Sequence, residues 1–434
     1  MREMREKVYN AFDPSPLRAD LAENDSLYVC LDSVRGDGKV VDRLAEKIRL
    51  AGDFTCQILA GHKGSGKSTE LRCLKRKLET GDKRFFVVFC DSDNDIDRND
   101  VDFFEVLISV VRQTVVQLHE KTNIELQPGY FRDRWERIWS LLSSKIGFDK
   151  IDLEAGLATI STTIKSSPDT RIKLRDSIES DTGNWLAAAN DLIGKAILDL
   201  RKLGFFGLVI LIDGLDKLAP RHLPDHNCSL AERLFIRREA QLTAFKCHTV
   251  YTMPLALAYS TQEPTIANLY GGAVPVLPMI RISNPPEEGG GDYEPGITKC
   301  RDIIQRRLQS CGANTEQVFD SDDTRDYLIR YTGGQPTELM YFTREALITS
   351  FPIDKAAVER PIRERRRAYL RQLRAEHWPV IEQVRQTGNF ERSEENEQVI
   401  RDLLDGRAIL QYSNGGDWYG VNPVIPESTK TERA

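Results

Sequence analysis

No stretch of the 434 residues stays apolar for long enough to cross a bilayer, and the opening Met1-Arg2-Glu3-Met4-Arg5-Glu6-Lys7 lacks the apolar centre of a secretory leader. The expectation is a cytoplasmic chain with no membrane partner. The eight cysteines include no Cys-x-x-Cys pair and no Cys/His spacing suited to zinc, which fits a reducing compartment and argues against a disulfide framework. An excess of positive charge is also missing. With 60 Lys and Arg against 66 Asp and Glu, the field of the whole chain does not draw in nucleic acid or anionic lipid, so any basic surface must be local. There is no internal repeat. What remains is ordinary globular composition in a chain too long for one core, which predicts two or three folded units.

Hydrophobic periodicity divides those units. After a polar, poorly periodic N-terminal segment (1–50), Phe54–Ala60 reads as a buried strand, followed by a glycine-rich turn and a helix from Ser68 to Leu78. Phe85–Cys90 reads as a second strand that runs into an aspartate-rich loop and an amphipathic helix over Val101–Gln117. The alternation breaks over 118–203, predicting a helical insertion, and resumes with strands at Leu208–Asp213, His248–Met253 and Val274–Ile282. The sum is an α/β fold with a doubly wound, parallel five-stranded sheet over 51–283. Asn284-Pro285-Pro286 and the glycines Gly289 to Gly291 end the sheet, and 296–352 reads as a small helical lid. Over 353–434, helices precede Ala408–Tyr412, the turn Ser413-Asn414-Gly415-Gly416-Asp417 and Trp418–Val421. Helices followed by a hairpin outline a winged-helix-like module.

The chemistry is concentrated at Gly61-His62-Lys63-Gly64-Ser65-Gly66-Lys67-Ser68-Thr69, which matches G-x-x-x-x-G-K-[ST] in full. Such glycines let backbone N–H groups turn in around phosphates, and the following helix points its positive end at them. Lys67 would reach the β- and γ-phosphates of ATP and Ser68 would ligate Mg2+. The metal needs a second ligand, for which a carboxylate ending a buried strand is suited. Asp213 closes the most apolar run of the chain and fills that role, although a strand-end aspartate also caps turns. Asp216 follows three residues on, toward the γ-phosphate end.

Ile210-Leu211-Ile212-Asp213-Gly214-Leu215-Asp216-Lys217 resembles the hhhhDGLDK/E form of Walker B in the STAND signal-transducing ATPases and the related initiator-type AAA+ (ASCE) ATPases. Gly333-Gly334-Gln335-Pro336 resembles the turn that opens the sensor-2 helix of their lids. The resemblance covers most of the chain from 28 to 425 apart from the insertion. It implies a nucleotide-controlled ATPase, with bacterial relatives often acting in defence, including antiviral defence, or in regulation. Two departures stand out. Where many AAA+ enzymes carry a catalytic glutamate directly after the Walker-B aspartate, this chain has Gly214, which leaves Asp216 to orient the attacking water and implies slow hydrolysis. Where the sensor-2 arginine usually follows the turn, it has Thr337, and Arg344 lies two turns further on. Thr252, at the end of the fourth strand between the Walker strands, is the sensor-1-like candidate, against the plain alternative of a strand threonine. No arginine finger is assignable among Arg233, Arg237, Arg238, Arg306 and Arg307.

Three weaker signals carry less. The run Asp91, Asp93, Asp95, Asp97 imitates a calcium loop but has Ile96 where the turn needs glycine. His222 and His226 have no companion ligands for zinc. Between Lys355 and Glu376 eight cations face three anions, and Arg363, Arg367, Arg371 and Arg374 are placed on one helical face, which suits a solvated surface as well as a nucleic-acid or protein contact. The leading expectation is therefore an ATPase working as a switch or assembly regulator, with protein partners and room for a homo-oligomer. A DNA-binding initiator or loader is the alternative, with DNA the less favoured partner. A nucleotide-binding scaffold without turnover is the third.

Overall fold

The computed structural model describes residues 1–36, 39–126, 153–179, 181–223, 227–393 and 395–427. The runs of Val, Ile and Leu between glycine-rich turns form five strands: β1 (Cys56–Gly61), β2 (Phe86–Asp91), β3 (Leu208–Asp213), β4 (His248–Pro254) and β5 (Val276–Leu277). All pairings are parallel, in the order β2-β3-β4-β1-β5. β4, which carries Thr252, thus lies between the strand that feeds the phosphate loop and the strand that carries Asp213. Parallel strands need covering on both faces, and alternate residues of β3 divide accordingly. Val209 and Leu211 pack with one hydrophobic cluster and Leu208, Ile210 and Ile212 with the other.

The first of these faces is covered by α2 (Val40–Leu50) and α3 (Lys67–Glu79), through Leu44, Ile48, Leu71, Leu74 and Leu78. The N-terminal segment is therefore not simply polar. It opens with α1 (Arg2–Ala11), and in α2 the residues Val41, Leu44, Ala45 and Ile48 are buried at helical spacing. The opposite face is covered by α4 (Phe103–Thr122), started by an Asp102/Glu105 capping box, and by the insertion. The insertion's described part consists of α5 (Leu153–Ser166), α6 (Pro168–Glu179) and α7 (Thr182–Lys202), and 127–152 lies outside the described residues.

The expected fifth strand, Val274–Ile282, is shorter than its sequence pattern. Only Val276 and Leu277 pair with β1. Further along, the backbone leaves the sheet: Met279 N–H donates to Gln411 O, Ile280 N–H to Gly334 O and Arg281 N–H to Val34 O. The apolar residues there are buried by the lid and the C-terminal hairpin, not by strand neighbours. The segment expected to form a lid holds α8 (Glu294–Ser310), α9 (Asp322–Tyr331) and α10 (Pro336–Thr349). They are followed by α11 (Lys355–Gln372), α12 (Trp378–Thr387), α13 (Glu397–Asp405) and the antiparallel pair β6 (Ile409–Ser413) and β7 (Asp417–Val421). One hydrophobic cluster runs from the sheet through lid and C-terminal helices without a break.

One expectation about this last region needs correction. α11 ends at Gln372, so Arg374 lies beyond the helix that carries Arg363, Arg367 and Arg371. The aromatics of the hairpin face the body of the protein. Trp418 stacks on Tyr412 at 4.5 Å and Tyr419 packs on Phe390 at 4.4 Å, both buried. Exposed Asp417 accepts hydrogen bonds from Gln411 Nε2 and the Tyr259 hydroxyl. The hairpin turns these residues inward because its other surface is solvated and apolar rings gain most by packing on the body.

Candidate nucleotide-binding site

The loop after β1 runs straight into α3, whose first residue is Lys67 and whose N-cap, Gly66, offers no side-chain cap. The first N–H groups of the helix are thereby left for an anion, at the positive end of the helix dipole. Lys67 is 4% exposed and its Nζ is held by Gly61 O and His62 O, each at 2.7 Å, and by Asp216 Oδ2 at 2.8 Å. Asp216 stands on a short turn after β3 and is buried. Its Oδ1 has no hydrogen-bond partner among the described residues, a costly state for a carboxylate unless something cationic or protic reaches it.

Asp213 is buried beside it. Burial, and then the nearby charge of Asp216, push its carboxyl up to about 6, while a hydrogen bond from Ser68 acts the other way. The buried Asp213 carboxylate beside the Ser68 hydroxyl on the loop is the kind of oxygen donor pair a hard divalent cation takes. By this test the residues fit Mg2+.

Gly214 explains the missing glutamate. Its φ is +90°, and a Cβ there would lie 2.3 Å from the Ser92 hydroxyl, which donates to Asp213 O at 2.6 Å. No side chain fits without dislodging that contact.

These loops open into a cleft of about 350 Å3. One wall is the phosphate loop and α3 start, with Lys63, Gly64, Gly66, Lys67, Ser68 and Thr69, together with Asp216 and Lys217. A second is the N-terminal segment through Pro14–Leu17 and Tyr28, and a third is the lid through Ile303, Arg307, Thr337 and Met340. Of the sequence candidates, Gly61, His62, Ser65, Asp213 and Thr252 are not on the cleft wall. Asp213 reaches the site through Ser68, and Thr252 is fully buried on β4, its hydroxyl 3.5 Å from Ile212 O.

His62 does something that no motif indicated. Buried, and with its pKa lowered to about 3 chiefly by burial, it is neutral at physiological pH, and its Nε2 accepts the backbone N–H of Gln411 at 2.9 Å. The hairpin is thus hydrogen-bonded to the second residue of the phosphate loop. The lid is bonded to the fourth, since Thr337 donates its hydroxyl to Gly64 O at 3.3 Å. Gly334 makes that approach possible. At φ +71° it passes so close to Ile280 that a Cβ would lie 1.8 Å from its carbonyl oxygen.

Arg344 is held elsewhere, by Asp13 at 3.3 Å and over the Tyr9 ring at 4.1 Å, so it does not replace a sensor-2 arginine. Of the other arginines, Arg233 and Arg238 pair with Asp102, Arg306 donates to Tyr28 O, and Arg307 donates to Ala11 O at 2.7 Å while lining the cleft. The carboxylates of the aspartate-rich loop are largely taken. Asp93 pairs with Lys217 and Arg98, and Asp95 accepts from Arg112, Ser109, Gln113 and Ser161. His222 is on a two-residue strand, and His226 lies outside the described residues.

A phosphate loop between β1 and α3 on a five-stranded parallel sheet, with a further strand between β1 and the Asp213 strand, defines an α/β P-loop fold of the AAA+-like kind. No family model matches the chain, and no curated protein matches it. Solved structures do align over nearly its whole length. A Walker-type ATPase of Pyrococcus abyssi has 13% identity and a TM-score of 0.45, covering 95% of this chain and 98% of that one. Cdc6p of Pyrobaculum aerophilum has 15% identity and a TM-score of 0.40, covering 96% and 94%. The ORC2 protein of Aeropyrum pernix, with ADPNP and ADP, has 12% identity and a TM-score of 0.44, covering 95% of each. Likeness of this degree says nothing about what the chain binds or does, which has to be read from the site.

Proposed function

We propose that this chain binds ATP with Mg2+ in the cleft, hydrolyses it slowly, and uses the nucleotide to set the position of its lid and C-terminal module for a protein partner. The observation that carries this reading is the pair of contacts from the phosphate loop to the two mobile candidates. Gly64 O accepts from Thr337 of the lid and His62 Nε2 accepts from Gln411 of the hairpin. A loop that must wrap phosphates cannot shift without straining both contacts, which gives nucleotide a differential effect on two arrangements.

The residues act as follows. Backbone N–H groups from Gly64 to Thr69 and the α3 N-terminus bind phosphate, and Lys67 supplies the buried charge. Ser68 and Asp213 would hold Mg2+, which neutralises charge on the transferring phosphoryl group. Asp216, fixed through Oδ2 to Lys67, keeps Oδ1 free to accept a proton from water, a role that Gly214 cannot fill.

We read 51–283 as the ATPase core, 296–352 as its lid and 353–434 as a winged-helix-like module. The resemblance to STAND ATPases, with their regulatory or defence roles, is kept as part of this reading. A protein partner is favoured over DNA because Arg363 and Arg374 are already neutralised by Glu359 and Glu376. Light scattering after size exclusion, in ADP and in a non-hydrolysable ATP analogue, should give nucleotide-dependent elution or mass. Steady-state phosphate release should be measurable and slow. Failure to bind either nucleotide would discard the reading, and binding without phosphate release would leave only the scaffold alternative.

A further inference from the structure

The cleft holds six cations, of which four are committed elsewhere and a fifth, Lys63, belongs to the phosphate loop itself. Lys67 is caged by Asp216 and two carbonyls, Arg35 pairs with Glu70 and donates to Ser65 O, Lys217 pairs with Asp93, and Arg307 donates to Ala11 O. Arg407 is different. It comes from the C-terminal module, between α13 and β6, and its guanidinium stands beside the phosphate loop, 3.8 Å from where a Cβ on Gly64 would be. Its one ion pair among the described residues is loose: Nη1 lies 3.5 Å from Glu338 Oε1, on a carboxylate that Arg365 already holds at 3.0 Å through its other oxygen.

Its backbone is also unusual. Arg407 has φ +60°, a left-handed conformation that costs a non-glycine residue about 1 kcal/mol or more. The conformation is held by Asn422 Nδ2 donating to Arg407 O at 3.0 Å and by Arg407 N–H donating to Leu404 O at 3.1 Å. The preceding residue is Gly406, so a glycine was at hand for a plain helix-to-strand turn, yet the strained position carries an arginine that reaches the loop.

The geometry points to Arg407 as the residue that reads the terminal phosphate: a guanidinium delivered by the C-terminal module, exchanging Glu338 for the γ-phosphate of bound ATP. It occupies the place left by the lid, where Thr337 carries no charge. A guanidinium matches a phosphate's paired oxygens and is easily taken from a long, shared carboxylate contact. Because Arg407 is one residue from Ala408 and four from Gln411, its movement would pull on the hairpin bonded to His62. This inference rests on the proposed ATP site.

The test is calorimetric affinity of the full chain for a non-hydrolysable ATP analogue and for ADP, both with Mg2+, alongside the thermal midpoint of each variant. Arg407→Ala should weaken the ATP analogue about tenfold and ADP less than twofold, and Arg407→Lys should recover part of the loss. Arg407→Gly, which accepts the positive φ without strain, should show the same selective loss with an unchanged or raised midpoint, separating phosphate recognition from folding. An unchanged ratio of the two affinities in the Ala and Gly variants would overturn the proposal, as would an equal loss of both nucleotides. If the wild type bound neither nucleotide, while Lys67→Ala behaved like it, the ATP site itself would have failed, which is a different result.

Discussion

The cations of the cleft and those of α11 make an instructive contrast. Lys67 and Arg35 are nearly fully buried, and each is held by a buried carboxylate and by loop carbonyls. On α11, Arg360 and Arg363 are exposed and pair with Glu364 and Glu359 one turn away, at 3.3 Å, while Arg367 and Arg371 point to solvent. By count the second group is the more conspicuous in the sequence. By energy the first matters far more, because a charge removed from water must be compensated, whereas an exposed i,i+4 pair contributes a few tenths of a kcal/mol. Clustering on a helix is therefore a weak sign of function, and a buried charge with an orphaned partner is a stronger one.

The largest effect that could break this contrast is on turnover. Asp216→Asn should lower phosphate release by a factor of about a hundred to ten thousand with little change in nucleotide affinity. Turnover at the wild-type rate would move the water-orienting role to another residue. Lys67→Ala comes next. It should cost about a hundredfold in ATP affinity by calorimetry, roughly the worth of one or two charge-assisted hydrogen bonds, and equal affinity would remove the assignment of the loop.

A smaller effect follows from the pairing of Asp213 with Asp216. The folded-state pKa of Asp213 is raised to about 6, above its value of about 3.9 in the unfolded chain, so the fold favours the protonated form. Its contribution to stability declines as pH rises through that window, and above it the ionised pair is destabilising unless Mg2+ compensates. The thermal shift given by Mg2+ with nucleotide should therefore be largest near pH 7.5 and fade below about pH 6. A shift independent of pH from 5 to 8 would separate the metal from Asp213.

The smallest effect should come from α11. Replacing Arg363, Arg367, Arg371 and Arg374 together with glutamine should change stability by no more than about 1 kcal/mol. If that face binds DNA after all, each lost phosphate contact should reduce the log-affinity against log-salt slope by about one, and tight DNA binding by the full chain abolished in this variant would restore the loader reading.

The contrast also shows what kind of information each level carries. The phosphate loop, the β3 aspartate and the alternation that builds β1 to β4 are local. They depend on residue type at short spacing, and Gly61–Thr69 and Leu208–Asp213 could be read directly from the chain. The N-terminal segment is less legible because α2 is bounded by irregular chain, although its Val41, Leu44, Ala45 and Ile48 stand at helical spacing. The apolar run Val274–Ile282 predicts a longer β5 than forms, because such a run is the same signal whether a strand neighbour or a hairpin buries it.

The sequence by itself determined the P-loop sheet and the acidic and basic groups that phosphate chemistry requires, since backbone geometry and strand burial are set by neighbours in the chain. Only the tertiary structure decided which charges meet. It brings Asp216 onto Lys67, forbids a side chain at Gly214 through Ser92, turns Trp418 and Tyr419 inward, and sets Arg407 and Gln411 against a loop more than 340 residues earlier. Those contacts join residues far apart in the chain, and the free energy that selects them comes from burying charge and apolar surface between elements, which no local pattern records.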